Sequence, residues 1–135
     1  MAQLASIGTC LLLAVVLAGC GSSGRSFDRD ATAACIASRE VVESVSTKRS
    51  NLDFIGQAAR GGGIYVLFLG GNEAYVSFEQ TADEVGRAYD DYTLPAGALI
   101  EPIGAGVRRV GNVVFAFDQA PTRSQVGAVS ECLRG

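Results

Sequence analysis

Ile64-Tyr65-Val66-Leu67-Phe68-Leu69-Gly70-Gly71-Asn72-Glu73-Ala74-Tyr75-Val76-Ser77-Phe78-Glu79-Gln80-Thr81-Ala82-Asp83-Glu84 is the run that settles the architecture. Its first six residues are apolar on both alternations, too short to cross a membrane and rich in β-formers, which reads as a strand. Gly70-Gly71-Asn72 supplies a hairpin turn. Ala74, Val76 and Phe78 then alternate with Tyr75 and Ser77, so they share one face of a second strand. Thr81-Ala82-Asp83-Glu84 is a capping box, whose hydroxyl and carboxylate satisfy first-turn amides of a helix. Val85, Ala88, Tyr89 and Tyr92 form the apolar stripe of that helix, which stops before Pro95.

The same order runs again about forty residues later. Gly111-Asn112 repeats Gly71-Asn72, and Val113, Phe115 and Phe117 repeat Ala74, Val76 and Phe78. Asp118-Gln119 repeats Glu79-Gln80, and Thr122-Arg123-Ser124-Gln125 is a second capping box ahead of Val126. Val107 to Val110 is then the shorter partner of the Ile64 strand. Upstream, Asp28 or Asp30 caps a helix with Ala31, Ala34, Cys35, Ser38, Val41, Val42 and Val45 on one broad face. Lys48-Arg49 close it at the negative end of its dipole. Gly61-Gly62-Gly63 breaks the chain, and Phe54-Ile55 before it is a short strand or a buried turn. The expectation is an α+β domain of order α-ββα-ββα, with an internal ββα duplication. Its sheet is four-stranded and mainly antiparallel, with the helices packed on one face.

Residues Met1 to Gly24 carry no charge, and Leu11 to Leu17 followed by Ala18-Gly19 has the apolar core and small-residue end of an export signal. A cysteine stands next, and Leu17-Ala18-Gly19-Cys20 resembles the lipobox of bacterial lipoproteins. The leaders of that family normally begin with Lys or Arg, whereas Met1 to Ser6 contain neither. The resemblance implies cleavage before Cys20 and a diacylglycerol on its thiol, which makes Cys20 the membrane contact. It also implies a place on the cell membrane or outer membrane, facing away from the cytoplasm. Each buried CH₂ of acyl chain contributes roughly 0.8 kcal/mol, so two or three chains hold durably where one does not. Residues 1–19 are then a signal peptide, 20–29 a flexible tether and 30–135 a single domain. An uncleaved signal anchor over Leu4 to Gly19 and a plain signal peptide are the alternatives.

Outside the cytoplasm paired cysteines oxidise. Cys35 and Cys132 sit on the first and last expected helices, and linking them would be worth roughly 4.7 kcal/mol on the chain-entropy estimate for a loop near 100 residues. Those two helices would then pack side by side. Two buried free thiols are the alternative. Cys10 would leave with the leader.

Composition narrows the chemistry. The net charge of −3, with all eleven basic residues after the leader, argues against nucleic acid as a partner. The absence of histidine removes the commonest general base and zinc ligand. Gly61 to Gly63 lacks the Gly-Lys-Ser/Thr of a phosphate loop, Gly104-Ala105-Gly106 lacks the third glycine of a dinucleotide fingerprint, and no cofactor or metal is expected.

Two site candidates follow. Tyr65, Leu67, Leu69, Tyr75 and Val114, with Ala116, point away from the expected core and form a semi-apolar face of the kind enriched at interfaces. Loops such as Leu94 to Gly106 or Ser50 to Arg60 are the alternative occupants of that face. Glu79 and Asp118, at matching strand ends, are the alternative pair for acid-base work, or simply acids placed before helix N-termini. The expected function is non-enzymatic: a lipid-anchored envelope module binding a protein or small ligand. A small exported hydrolase or transferase using Glu79 and Asp118, or a structural or inhibitory module associating with its own copies, are the other readings.

Overall fold

The computed structural model describes residues 24–93 and 104–134. The elements are α1 (Arg29–Ala37), β1 (Val42–Ser46), α2 (Phe54–Ala58), β2 (Gly63–Phe68), β3 (Glu73–Phe78), α3 (Ala82–Thr93), β4 (Ala105–Val110), β5 (Val113–Phe117) and α4 (Arg123–Ser130). Short 3-10 turns occupy Arg49–Asn51 and Glu131–Leu133. The expected signal peptide and residues 20–23 of the tether, with Cys20, lie outside the described residues, as do residues 94–103. The rest of the tether is fastened to the domain, Arg25 O accepting from Asn112 N at 3.1 Å and Asp28 capping α1.

The fold is α+β, with one antiparallel sheet in the order β1-β2-β3-β5-β4. The quoted stretch folds as read. Val66 faces Ala74 across the first hairpin, and Gly70 and Gly71 turn it with φ of 95° and 88°, angles that a side chain would oppose. Both capping boxes form: Glu84 N donates to Thr81 Oγ1 at 3.2 Å and Gln125 N to Thr122 Oγ1 at 3.3 Å. Gly61 has a different task, approaching the end of β3 so closely that its N–H reaches Phe78 O at 2.8 Å. A Cβ there would lie 2.5 Å from the same oxygen.

The sheet has five strands rather than four, because the long first helix is two elements. Asp28 does cap α1, its Oδ1 accepting from Ala31 N at 2.8 Å. Ser38 ends that helix, and Val42 N reaches Arg39 O at 3.0 Å in the turn that follows. Val42 to Ser46 then pair with β2. Val41, Val42 and Val45 satisfy a helical stripe on paper, but their branched side chains favour a strand. As part of β1, Val42 and Val45 occupy the otherwise open edge of β2, and together with Val41 just before it they still reach the core of Val66 and Phe68.

The helices lie on both faces rather than one. α1 and α4 bury Ala33, Ile36, Ala128 and Val129 against Ile64, Val66, Phe68, Val76, Phe78, Phe115 and Phe117. On the opposite face α2 and α3 set Ile55, Val85, Ala88 and Tyr92 against Val114 and Ala116. The reason is β5, Val113-Val114-Phe115-Ala116-Phe117, which is buried at all five positions. A strand apolar on both sides must be covered on both.

The two hairpins are related across the β3–β5 seam, where Ala74 pairs with Phe117 and Phe78 with Val113, but their following helices are not. The counterpart of α4 on the shared face is α1. Asn72 Oδ1 accepts from Gln119 N at 3.1 Å, ahead of α4. Asn112 Oδ1 accepts from Phe27 N at 2.6 Å, ahead of α1. With that face occupied by α1, α3 is left the other. The expected pairing of first and last helices holds: Cys35 and Cys132 form a disulfide with Cα atoms 5.7 Å apart. Arg39 lies against both sulfurs and forms an ion pair with Glu131 at 3.0 Å.

Candidate functional site

The second sheet face is divided. Under α3, Val114 is completely buried, so it belongs to the core and is withdrawn from the candidate surface. Leu69 is 59% exposed but follows the end of β2 at the turn. Tyr65, Leu67 and Tyr75 remain half-buried on β2 and β3, beside Ser44 and Ser46 of β1. The Ser50 to Arg60 segment covers part of this side through Ile55 of α2. The Leu94 to Gly106 segment falls largely outside the described residues, and only its end, from Gly104, is seen.

Tyr65 and Tyr75 face each other across the hairpin with ring centroids 5.8 Å apart and planes tilted by 50°. Tyr75 donates to Glu73 Oε2 at 2.6 Å. Burial raises the pKa of both phenols, helped by hydrogen bonding to Glu73 and then by its charge. A phenol beside a carboxylate keeps its proton, because phenolate formation would set two negative charges together. The patch is therefore two rigid rings with donor hydroxyls, one carboxylate and a leucine.

Glu79 and Asp118 are not brought together. β3 and β5 run antiparallel, so Glu79 N meets Asn112 O at one end of the seam while Asp118 N meets Glu73 O at the other. Six residues of strand separate those ends, about 20 Å. Such a distance exceeds even the roughly 6.5–9.5 Å between the carboxyls of an inverting glycosidase.

Glu79 instead adjoins a hollow between α2 and α3, with a volume of about 370 Å³, lined also by Phe54, Ala58, Arg87, Ala88 and Asp91. Glu79 is only 7% exposed. Burial raises its pKa, with the Ser77 hydroxyl opposing, the Glu84 charge adding and the Arg87 charge opposing. Nearby, Tyr92 donates to Asp53 Oδ2 at 2.5 Å, while Asp53 Oδ1 caps α2 through Gly56 N at 2.8 Å. Sequence reading passed over Asp53, Phe54, Arg60 and Tyr92 as site residues. The available signal was Asp53 directly before Phe54-Ile55-Gly56, an N-cap for a helix of one turn and a half.

Among the described residues no group of three His, Cys, Asp or Glu side chains is placed to hold a metal ion. No helix among them is long and apolar enough to cross a membrane. Comparison with protein-family models, with curated proteins and with solved structures finds no match to this chain.

Proposed function

We propose that the chain is a lipid-anchored module of the cell envelope, tethered through Cys20 to the cell membrane or outer membrane, that binds a partner and catalyses nothing. The observation that carries the binding reading is the half-buried Tyr65–Tyr75 pair, with Tyr75 at the margin of the cluster under α2 and α3 and Tyr65 beyond it. Tyrosines offer large contact area at low entropic cost, with a hydroxyl for orientation. The Cys35–Cys132 disulfide fits a compartment that is oxidising, as the lipobox resemblance requires.

Acid-base catalysis by Glu79 and Asp118 has no support in their placement at opposite ends of the β3–β5 seam. Association with a second copy through the sheet edges is opposed by irregularities in both edge strands, between Val42 and Ser44 and between Ala105 and Arg108. Such bulges twist an edge away from further pairing. Crosslinking in native membranes tests the binding face. Leu67→Arg and Tyr75→Arg should each abolish capture of the partner, and an unchanged set of crosslinked species would remove this face from consideration. Mass spectrometry of the mature N-terminus tests the anchor, with acylated Cys20 as the expected first residue.

A further inference from the structure

We propose that the hollow between α2 and α3 is a second binding site, separate from the tyrosine face, for a small ligand bearing an ammonium or guanidinium group on a short apolar or aromatic stem. The argument begins with Glu79, which lines the hollow and is more than nine-tenths buried. Among the described residues its carboxylate has no ion-pair partner within 4.0 Å. A carboxylate largely withdrawn from water attracts a cation more strongly than an exposed one, and a cation arriving from solution offsets the cost of its burial.

The other charges around the rim are differently committed. Glu84 is spent: Oε1 faces Arg60 Nε at 3.1 Å, and Oε2 accepts from Gln80 N at 2.9 Å and Thr81 N at 3.2 Å. The same ion pair occupies Arg60. Asp91 is exposed on the rim and adds a second negative charge with no ion-pair partner among the described residues, while Arg87 supplies one positive charge that approaches neither acid to ion-pair distance. The uncommitted charge of the hollow is therefore net negative.

Its walls specify the rest of the ligand. Phe54 stands 57% exposed at the hollow, and an aromatic face attracts an organic cation as well as an apolar stem. Ile55, Ala58 and Ala88 add apolar wall between the charged groups. A volume of about 370 Å³ lies at the small end of the range for ligand pockets and admits a molecule the size of an arylalkylamine. Neither Tyr65 nor Tyr75 lines it.

Calorimetric titration of the purified chain with 2-phenylethylamine and with agmatine tests this. At least one amine should bind, and 3-phenylpropionate, of similar size and opposite charge, should not. Glu79→Gln keeps the shape and removes the charge, so it should weaken amine binding at least about tenfold. Arg87→Gln should leave binding equal or tighter, and Leu67→Arg, on the tyrosine face and away from the hollow, should leave it unchanged, which separates the two sites. Far-ultraviolet circular dichroism establishes that each variant is folded. The proposal is overturned if neither amine binds, if folded Glu79→Gln binds them as well as the parent, if the carboxylate analogue binds equally, or if Arg87→Gln abolishes binding.

Discussion

Asn72 and Gln125, 53 residues apart in sequence, share a buried hydrogen bond of 3.0 Å from Asn72 Nδ2 to Gln125 Oε1. The same Oε1 accepts from Thr122 N at 3.0 Å, while Asn72 Oδ1 accepts from Glu73 N at 2.9 Å and Gln119 N at 3.1 Å. The turn of one hairpin thus completes the cap of the helix that follows the other. Asn72→Ala deletes these bonds and strands two amides, costing about 2–3 kcal/mol. In thermal unfolding that should appear as a midpoint lowered by roughly 10 °C. Asn72→Asp keeps the acceptor but sets a carboxylate oxygen against Gln125 Oε1 and Gln119 O, so at neutral pH it should destabilise at least as much as alanine.

The disulfide joins residues 97 apart in sequence. Replacing both Cys35 and Cys132 by alanine should lower stability by about 4 kcal/mol, measured as the shift in urea unfolding free energy. Peptide mapping without reductant should recover the two cysteines in one linked species.

Alkaline pH should unfold the domain cooperatively. The pKa values of Tyr92, Tyr75 and Tyr65 all lie above the ordinary phenol value in the folded chain, through burial first and then through Asp53 for Tyr92 and Glu73 for the others. The folded state therefore holds these protons more tightly than the unfolded state does. Their contribution is complete below the ordinary value near pH 10 and is lost as pH rises through the folded values. Phenolate absorbance should rise together with loss of secondary structure. Tyr92→Phe should cost about 1–2 kcal/mol at neutral pH, because Asp53 Oδ2 then loses its donor.

Glu79 works in the opposite pH range. Burial raises its folded pKa, so its contribution is present below the ordinary carboxylate value, about 4, and is lost as pH rises through the folded value. Without added ligand, Glu79→Gln should be more stable than the parent at pH 7, and the difference should vanish near pH 3.5. Urea unfolding at the two pH values measures both.

Gly61→Ala places a methyl group 2.5 Å from Phe78 O, and the backbone on both sides of that contact is held by hydrogen bonds. It should cost about 2–3 kcal/mol. Gly86→Ala is the control, since nothing lies within 4 Å of its added Cβ. Within α3 that substitution should be neutral or stabilising by up to about 1 kcal/mol. Chemical denaturation of the two variants gives the comparison.

What could be read from the residues was local. Alternation named the buried face of β3 and one of the two buried faces of β5; Thr81-Glu84 and Thr122-Gln125 announced two helices; and two cysteines on end helices announced a bridge. Each of these follows from the period of a strand or from side chains satisfying amides three residues away, and needs no distant partner. Long-range packing decided the rest. Val42 and Val45 suit a helical stripe and a strand equally until the open edge of β2 is present to receive them. Val114 and Ala116 look like surface until α3 arrives over them, because the face beside α4 is already held by α1. The charge environment of Glu79 follows in turn, since a carboxylate at a strand end is solvated unless two helices close around it.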